Sequence, residues 1–434
     1  MFELVGKNTT AKIYIDDLDE ETIQQIYSFL SHPSFTNPIA IMPDAHKGQG
    51  SCIGFTMKMT DRIIPNIIGV DIGCSIQSVN ISDLTIPLPE LDKRIRESIT
   101  FGSDTLKKPH YTLKTFPFDQ VNAIGKKFHQ SYQKHFQIQV PYVEYSAEWF
   151  NKKMIQITMD NARFFNSIGT LGSGNHFIEG GRSDNTGYWI TVHTGSRNFG
   201  NKVCKYWQYI AKQDFITNYV EKKQQQIHDI KKNSNRHEIQ NEISKLPNIQ
   251  IPDDLLFLEG LNAYYYCCDM LFAQFYADLN RLTILKTIMK ILNAEIKDSV
   301  TSIHNFIDFN DFIIRKGAIR SYQNERMVIP FNMRDGVLIC EGKSNPLWNY
   351  SAPHGGGRVL SRSKAKQTLD LLKFQEQMKG IYSTSVNYST LDEAPDAYKD
   401  SRVIEDAIQD TATILDRIIP IHNMKDSSDD CKFV

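Results

Sequence analysis

Short glycine-punctuated motifs carrying histidine, cysteine or aspartate stand in both the first and the last third of this 434-residue chain, with a long helical stretch between them. No other feature constrains the fold as much. If these residues share one chemistry they must meet, so both ends of the chain have to build one structure around the middle. A single composite α/β (α+β) domain over 1–425 is expected, with a helical insertion at about 201–300. A short acidic tail, 426–434, is expected to be disordered.

Residues 11–15 (AKIYI) read as a strand and 20–31 as a helix. From 38 to 81 the runs IAIMPD, CIGFTMKM, RIIPNIIGVDIG and SIQSVNI alternate with Gly, Pro and Asp, as packed strands with functional turns do. Residues 88–166 read as polar and helical, and strand–turn punctuation returns at 169–200. The polar run VEKKQQQIHDIKKNSNRHEIQNEISK reads as a surface helix pair or projecting insertion. Residues 263–292 read as a long buried helix, with Cys267 and Cys268 as core. Strands resume from 301, and a helix is expected at about 401–418.

Within SAPHGGGRVLSR (351–362), His354 is followed by Gly355, Gly356 and Gly357, then by Arg358 and Arg362. Glycines let successive backbone N–H groups converge on an anion, and arginine forks match phosphate oxygens. A histidine beside such a nest is placed to attack phosphorus. HGGG alone is also what a glycine turn beside an exposed histidine looks like.

Asp71 and Cys74, in IIGVDIGCS, have a D-x-x-C spacing that can bring carboxylate and thiolate to one ion; a buried structural cysteine is the plainer reading. His176, His193 and His304 each read as standing at the C-terminal end of a strand, where side chains emerge into a crevice. One such histidine is ordinarily structural. Three, with Asp71 and Cys74, favour a metal site suited to Zn²⁺, Mn²⁺, Fe²⁺ or Co²⁺ rather than Mg²⁺ or Ca²⁺. Five donors exceed one tetrahedral zinc, so a bridged two-metal site follows.

A net charge of −1 excludes a global basic field, so any polyanion site must be local. No run of 18 apolar residues predicts a membrane span, and MFELVGKNTTAKIYIDD lacks the layout of a secretory signal. Seven irregularly spaced cysteines do not make a disulfide framework, which points to a reducing cytoplasm.

Taken together, MPDAHKGQG (42–50), GVDIGCS (69–75), TLGSGNHFIE (170–179), VHTGSRNFG (192–200), RKGAIR (315–320), SAPHGGGRVLSR (351–362) and DEAPDAYKD (392–400) resemble the RtcB-type RNA ligases, in order and rough spacing over about 40–425. The resemblance implies central sheets forming a metal and nucleotide cleft. It implies joining of an RNA 3′-phosphate or 2′,3′-cyclic phosphate to a 5′-hydroxyl, with two Mn²⁺ ions and GTP, through a guanylylated histidine, in RNA repair or tRNA splicing. Carried over by position, that histidine is His354. The metal ligands are Asp71, Cys74, His176, His193 and His304, with Cys74 bridging. Asn175, Phe177, Glu179, Gly357, Tyr398 and Lys425 fall at nucleotide-binding positions, beside the glycine nest of Gly355 and Gly356. Arg197, Arg358 and Arg362 fall where RNA or nucleotide phosphates lie. Lys425 reads equally as an exposed tail lysine, and Tyr398 equally as core. Archease is the partner the family implies, and a monomer is expected.

An Asp or Glu accepting from the second nitrogen of His354 is required to keep the attacking nitrogen bare, and the sequence does not identify it. IPFNMRDG (329–336) departs from the family's small residues beside the base pocket, which leaves guanine against adenine selectivity open. Ser75 replaces a usual glycine, and the chain looks shorter than typical members, as in a divergent branch with a narrower repair substrate. Two rival functions remain. A metal-dependent RNA 2′,3′-cyclic phosphodiesterase would act without GTP and without His354. A non-catalytic RNA-binding relative has no need of five intact ligands.

Overall fold

The computed structural model describes residues 1–48, 50–81, 83–234, 237–246 and 250–427. Most of the 426–434 tail lies outside the described residues. The apolar and β-branched runs become strands β1 (Phe2–Val5), β2 (Thr10–Ile13), β3 (Ile39–His46), β4 (Ile53–Lys58), β5 (Ser75–Ile81), β6 (Phe177–Ser183), β7 (Gly187–Thr194), β8 (Ile296–Ile303), β9 (Asn305–Asp308), β10 (Ile313–Lys316), β11 (Ala318–Arg320), β12 (Arg326–Pro330), β13 (Val337–Gly342), β14 (Ser351–Pro353) and β15 (Ala412–Met424). They pair as a six-stranded sheet, β1-β2-β3-β4-β10-β9, a seven-stranded sheet, β12-β13-β15-β6-β7-β5-β8, and the pair β11-β14. Both large sheets draw strands from both ends of the chain, so the mixed α/β composite expected from the motif distribution is what forms.

The helix Gly260–Leu292 is buried along most of its length, as its largely apolar sequence predicts. Its first half joins a large aromatic cluster with Phe116, Phe164 and Phe199. Its second half lays Ile284, Leu285 and Ile288 against Val79, Ile178 and Val192 of the seven-stranded sheet. Cys267 and Cys268 are buried, and burial pushes both thiols up, which fits their reading as core. The helices Lys222–Asn233 and Ile239–Lys245 bury nothing, in keeping with a surface pair.

The helix expected at 401–418 is corrected. It stops at Ala407, a short 3₁₀ turn covers Ile408–Asp410, and β15 follows. β15 pairs with both β13 and β6, and this two-sided ladder overrides the helical reading of Ile404 to Ile418. Pro420 is tolerated because the β15–β6 register shifts there.

Candidate active site

The antiparallel registers assemble the site. Ser75 at the start of β5 pairs with Thr194 of β7 and Ile303 of β8, and Phe177 at the start of β6 pairs with His193. Met424 at the end of β15 pairs with Ile178. Lys425, His176, His193, Cys74 and His304 thus line up along one edge of the seven-stranded sheet. His193 and His304 stand at C-terminal strand ends, as expected. His176 does not: it precedes β6, and reaches the same edge because β6 runs antiparallel to β7.

Cys74 Sγ lies 3.2 Å from His193 Nε2 and 3.5 Å from His176 Nε2. His193 Nε2 lies 3.3 Å from His304 Nε2, and His176 Nε2 lies 2.9 Å from Asp71 Oδ2. The Nδ1–H groups of His176 and His193 donate to the backbone oxygens of Leu171 (2.9 Å) and Asn175 (3.1 Å). That commits each Nδ1 and turns each Nε2 toward the cluster. Burial, then neighbouring histidines, pushes His193 and His304 well below the usual imidazole range. Burial and then Asp71 push the Cys74 thiol up. Imidazole nitrogens, sulfur and carboxylate therefore face one another, and once the thiol proton is lost this donor set fits a soft-to-borderline divalent cation. Among the described residues, Cys74, His176 and His193 form a group whose donor atoms all lie within 4.8 Å of one another and could hold a metal ion.

Two glycines permit the packing. A Cβ on Gly195 would fall 2.2 Å from Asp71 Oδ1, and one on Gly172, at φ +97°, would fall 1.9 Å from Arg197 Nη1. Arg197 itself has φ 54°, uncommon for a side-chain-bearing residue. This turns its guanidinium back to Thr170 Oγ1 (3.1 Å) and the Gly102 oxygen (2.7 Å).

His354 follows β14 and meets the metal cluster ring to ring, 4.8 Å from His304. Its Nδ1–H donates to Asp44 Oδ2 at 2.7 Å. The same oxygen accepts from the backbone of His354 (3.1 Å) and Gly355 (3.2 Å). Asp44, fully buried, sits where the β3–β4 register breaks between Ile41 and His46. It is the missing partner, and the glycine nest holds this internal carboxylate. Gly357, at φ +68°, packs so closely on Asp44 that a Cβ would fall 2.7 Å from its backbone oxygen.

The cavity in front of His354 is lined by Asn175, Phe177, Glu179, Gly355, Gly356, Gly357, Arg358, Arg362, Tyr398 and Lys425, together with Phe331, Asn332 and Met333 of the divergent loop. Lys425 Nζ pairs with Glu393 Oε2 at 2.8 Å and sits 5.3 Å over the Phe177 ring, so it is a buried pocket residue rather than a tail lysine. Tyr398 OH donates to Glu393 Oε2 at 2.7 Å, and Arg358 stacks 4.8 Å above the Tyr398 ring. Arg362 reaches Asp392 and Glu393, both at 2.6 Å. Burial raises the Glu393 carboxyl, but Lys425, Arg362 and Arg358 outweigh it and hold the group below the usual range. Glu179 is the opposite case: burial outweighs Asn423 and Lys425 and pushes its carboxyl up to about 8. Its Oε1 and Asn423 Oδ1 are buried acceptors without a hydrogen-bond donor.

Arg197 stands apart from Arg358 and Arg362, under the metal cluster rather than on the cavity wall. Asp44, Glu393 and Asn423 are site residues that sequence reasoning did not single out. Asp44 and Glu393 lie inside the marked motifs MPDAHKGQG and DEAPDAYKD, which was their only signal.

A family model described as "tRNA-splicing ligase RtcB" matches residues 25–426. Similar curated proteins include an RNA-splicing ligase RtcB of Escherichia coli K12, 26% identical over 95% of this chain and 96% of the relative. A tRNA-splicing ligase RtcB of Methanococcus maripaludis is 24% identical over 93% and 91%. An RNA-splicing ligase RtcB homolog of Entamoeba dispar is 25% identical over 89% and 80%.

Proposed function

Since the chain belongs to the RtcB family, we propose that it is an RNA ligase joining 3′-phosphate or 2′,3′-cyclic phosphate ends to 5′-hydroxyl ends, with GTP consumed and Mn²⁺ as its metal. The observation that carries this reading is the Asp44–His354 pair beside the cation-binding cluster. Asp44 accepts from Nδ1–H and leaves Nε2 bare, the state a histidine needs to attack phosphorus. Hydrolysis alone needs no nucleotide-accepting histidine.

In this reading His354 Nε2 takes the guanylyl group from GTP and pyrophosphate leaves. The guanylyl group passes to the RNA 3′-phosphate, and attack by the 5′-hydroxyl releases GMP. Cys74, His176, His193, His304 and Asp71 would hold the metal, which when bound supplies positive charge for developing phosphoryl charge. Asp44 orients His354 and balances the imidazolium as it forms. Arg358 and Arg362, now paired with Asp392 and Glu393, exchange those carboxylates for phosphate oxygens. Asn423 Oδ1 offers an acceptor to a base bearing N–H groups, and the protonated Glu179 Oε1 beside it offers a donor.

The test is covalent labelling with α-labelled GTP or ATP in Mn²⁺. A GTP-specific label is expected on wild-type protein and absent from His354→Ala and Cys74→Ala. Asp44→Asn should label about 10- to 100-fold more slowly, the usual cost of losing an orienting partner. No label with either nucleotide, in protein that still binds Mn²⁺, would overturn the ligase reading in favour of the phosphodiesterase.

A further inference from the structure

A second concave surface lies outside the cleft, between the helix Leu88–Ser98, the loop 100–117 and the last third of the helix Gly260–Leu292. Arg94, Lys286 and Lys290 line it with His110 and Tyr111, and Glu97 is the one carboxylate among its described lining residues. Lys286 and Lys290 are one helical turn apart and exposed on one face. Arg94 also meets Glu90 at 2.6 Å, an exposed pair that holds it weakly. A concentration of cations is notable on a chain whose net charge is −1.

Behind its floor, three consecutive buried residues, Gly169, Thr170 and Leu171, pack between the groove and the Cys74–His176–His193 cluster. His110 packs on Gly169: a Cβ there would fall 2.9 Å from His110 Cδ2 and 3.0 Å from Thr283 Cγ2. Thr170 Oγ1 accepts from Arg197 Nε at 3.1 Å. The Leu171 oxygen accepts from Nδ1–H of the ligand His176 at 2.9 Å. Gly102, from the loop that carries His110, accepts from Arg197 Nη2 at 2.7 Å.

We propose that this groove is a track for the body of an RNA strand behind its reacting end, with Arg94, Lys286 and Lys290 on its phosphates and His110 and Tyr111 against its bases. The inference rests on the ligase reading and extends it from the reacting ends to the strand behind them. Rings beside cations distinguish a nucleic-acid track from a surface for an acidic protein, because bases stack and carboxylates do not.

The test compares full-length wild-type protein with Arg94→Gln/Lys286→Gln/Lys290→Gln, and with a control, Lys222→Gln/Lys231→Gln/Lys232→Gln, that removes the same charge from the exposed helix Lys222–Asn233. Binding of a labelled single-stranded oligoribonucleotide is titrated over a range of salt, with polyglutamate as a second probe. The groove variant should lose about tenfold or more in RNA affinity at moderate salt, and its log–log salt slope should fall by about 2, as for three lost single-strand phosphate contacts. The control should match wild type, and GTP labelling should be unchanged in both variants. Equal RNA affinity and slope in wild type and groove variant would overturn the track, as would an equal loss in the control or an equal loss of polyglutamate binding. Failure of the ligase reading shows separately, as wild-type protein that binds RNA through the groove yet neither labels nor joins ends.

Discussion

At the scale of single residues, the site is built on opposite treatments of buried carboxylates. Glu393 has three cations around it and stays ionised; Glu179 has a distant lysine and an amide and holds its proton. The consequence for stability has a definite sign. The folded pKa of Glu179, about 8, exceeds the ordinary 4.5, so folding is penalised as pH rises between those values and not below them. Glu179→Gln keeps an acceptor for Asn423 and cannot ionise. Its unfolding midpoint should therefore exceed wild type by a margin that widens from pH 5 to pH 8, by at most about 1.4 kcal/mol per pH unit. A margin constant across that range would show that Glu179 is ionised throughout. Asp44 shows what stayed illegible at this scale. Its motif was visible, but its role depends on His354, 310 positions away, and on a register break in β3 that no local pattern announces.

At the scale of elements, Asn280 is where the long helix governs the ligand loops. Fully buried, it accepts from the backbone of Gly169 (2.7 Å) and Thr170 (3.2 Å) and donates to the oxygens of Thr170 and Gly195. Removing it strands several buried polar groups. Asn280→Ala should cost about 2–4 kcal/mol, given 1–3 kcal/mol for each buried group left unpaired, read by denaturant unfolding. The same variant should bind Mn²⁺ more weakly, because the loops it ties carry His176 and the Gly195 turn against Asp71. Loss of stability below about 0.5 kcal/mol would remove Asn280 from this role. The elements themselves were largely legible: a long apolar run free of Gly and Pro places the helix Gly260–Leu292, and two-residue alternation places strands such as β5 and β7. The failures came where neighbours decide. β15 carries helix-compatible residues, but β13 and β6 claim both its edges. His176 reads as the end of a strand and opens one instead.

At the scale of the whole molecule, the metal cluster gathers donors from residues 71 to 304, whereas an unfolded chain presents no such set. An ion held there would stabilise the fold, by about 2.7 kcal/mol at one hundred times its dissociation constant. Mn²⁺ should raise the unfolding midpoint of wild-type protein and leave that of Cys74→Ala in place, measured by calorimetry; equal shifts would put the ion elsewhere. The motif distribution foretold a composite of both chain ends, because chemistry-bearing turns had to converge. It could not say which strands lie side by side, since sheet order is set by pairings between residues hundreds of positions apart.

His304 is the only residue between the last position of β8, in the seven-stranded sheet, and the first position of β9, in the six-stranded one. A joint one residue long has no slack. Any shear of one sheet against the other displaces Nε2 of His304 relative to Cys74 and His193, which belong to the seven-stranded side. The position of His304 Nε2 is therefore a gauge of intersheet alignment: repacking far from the cluster would change how an ion is gripped there.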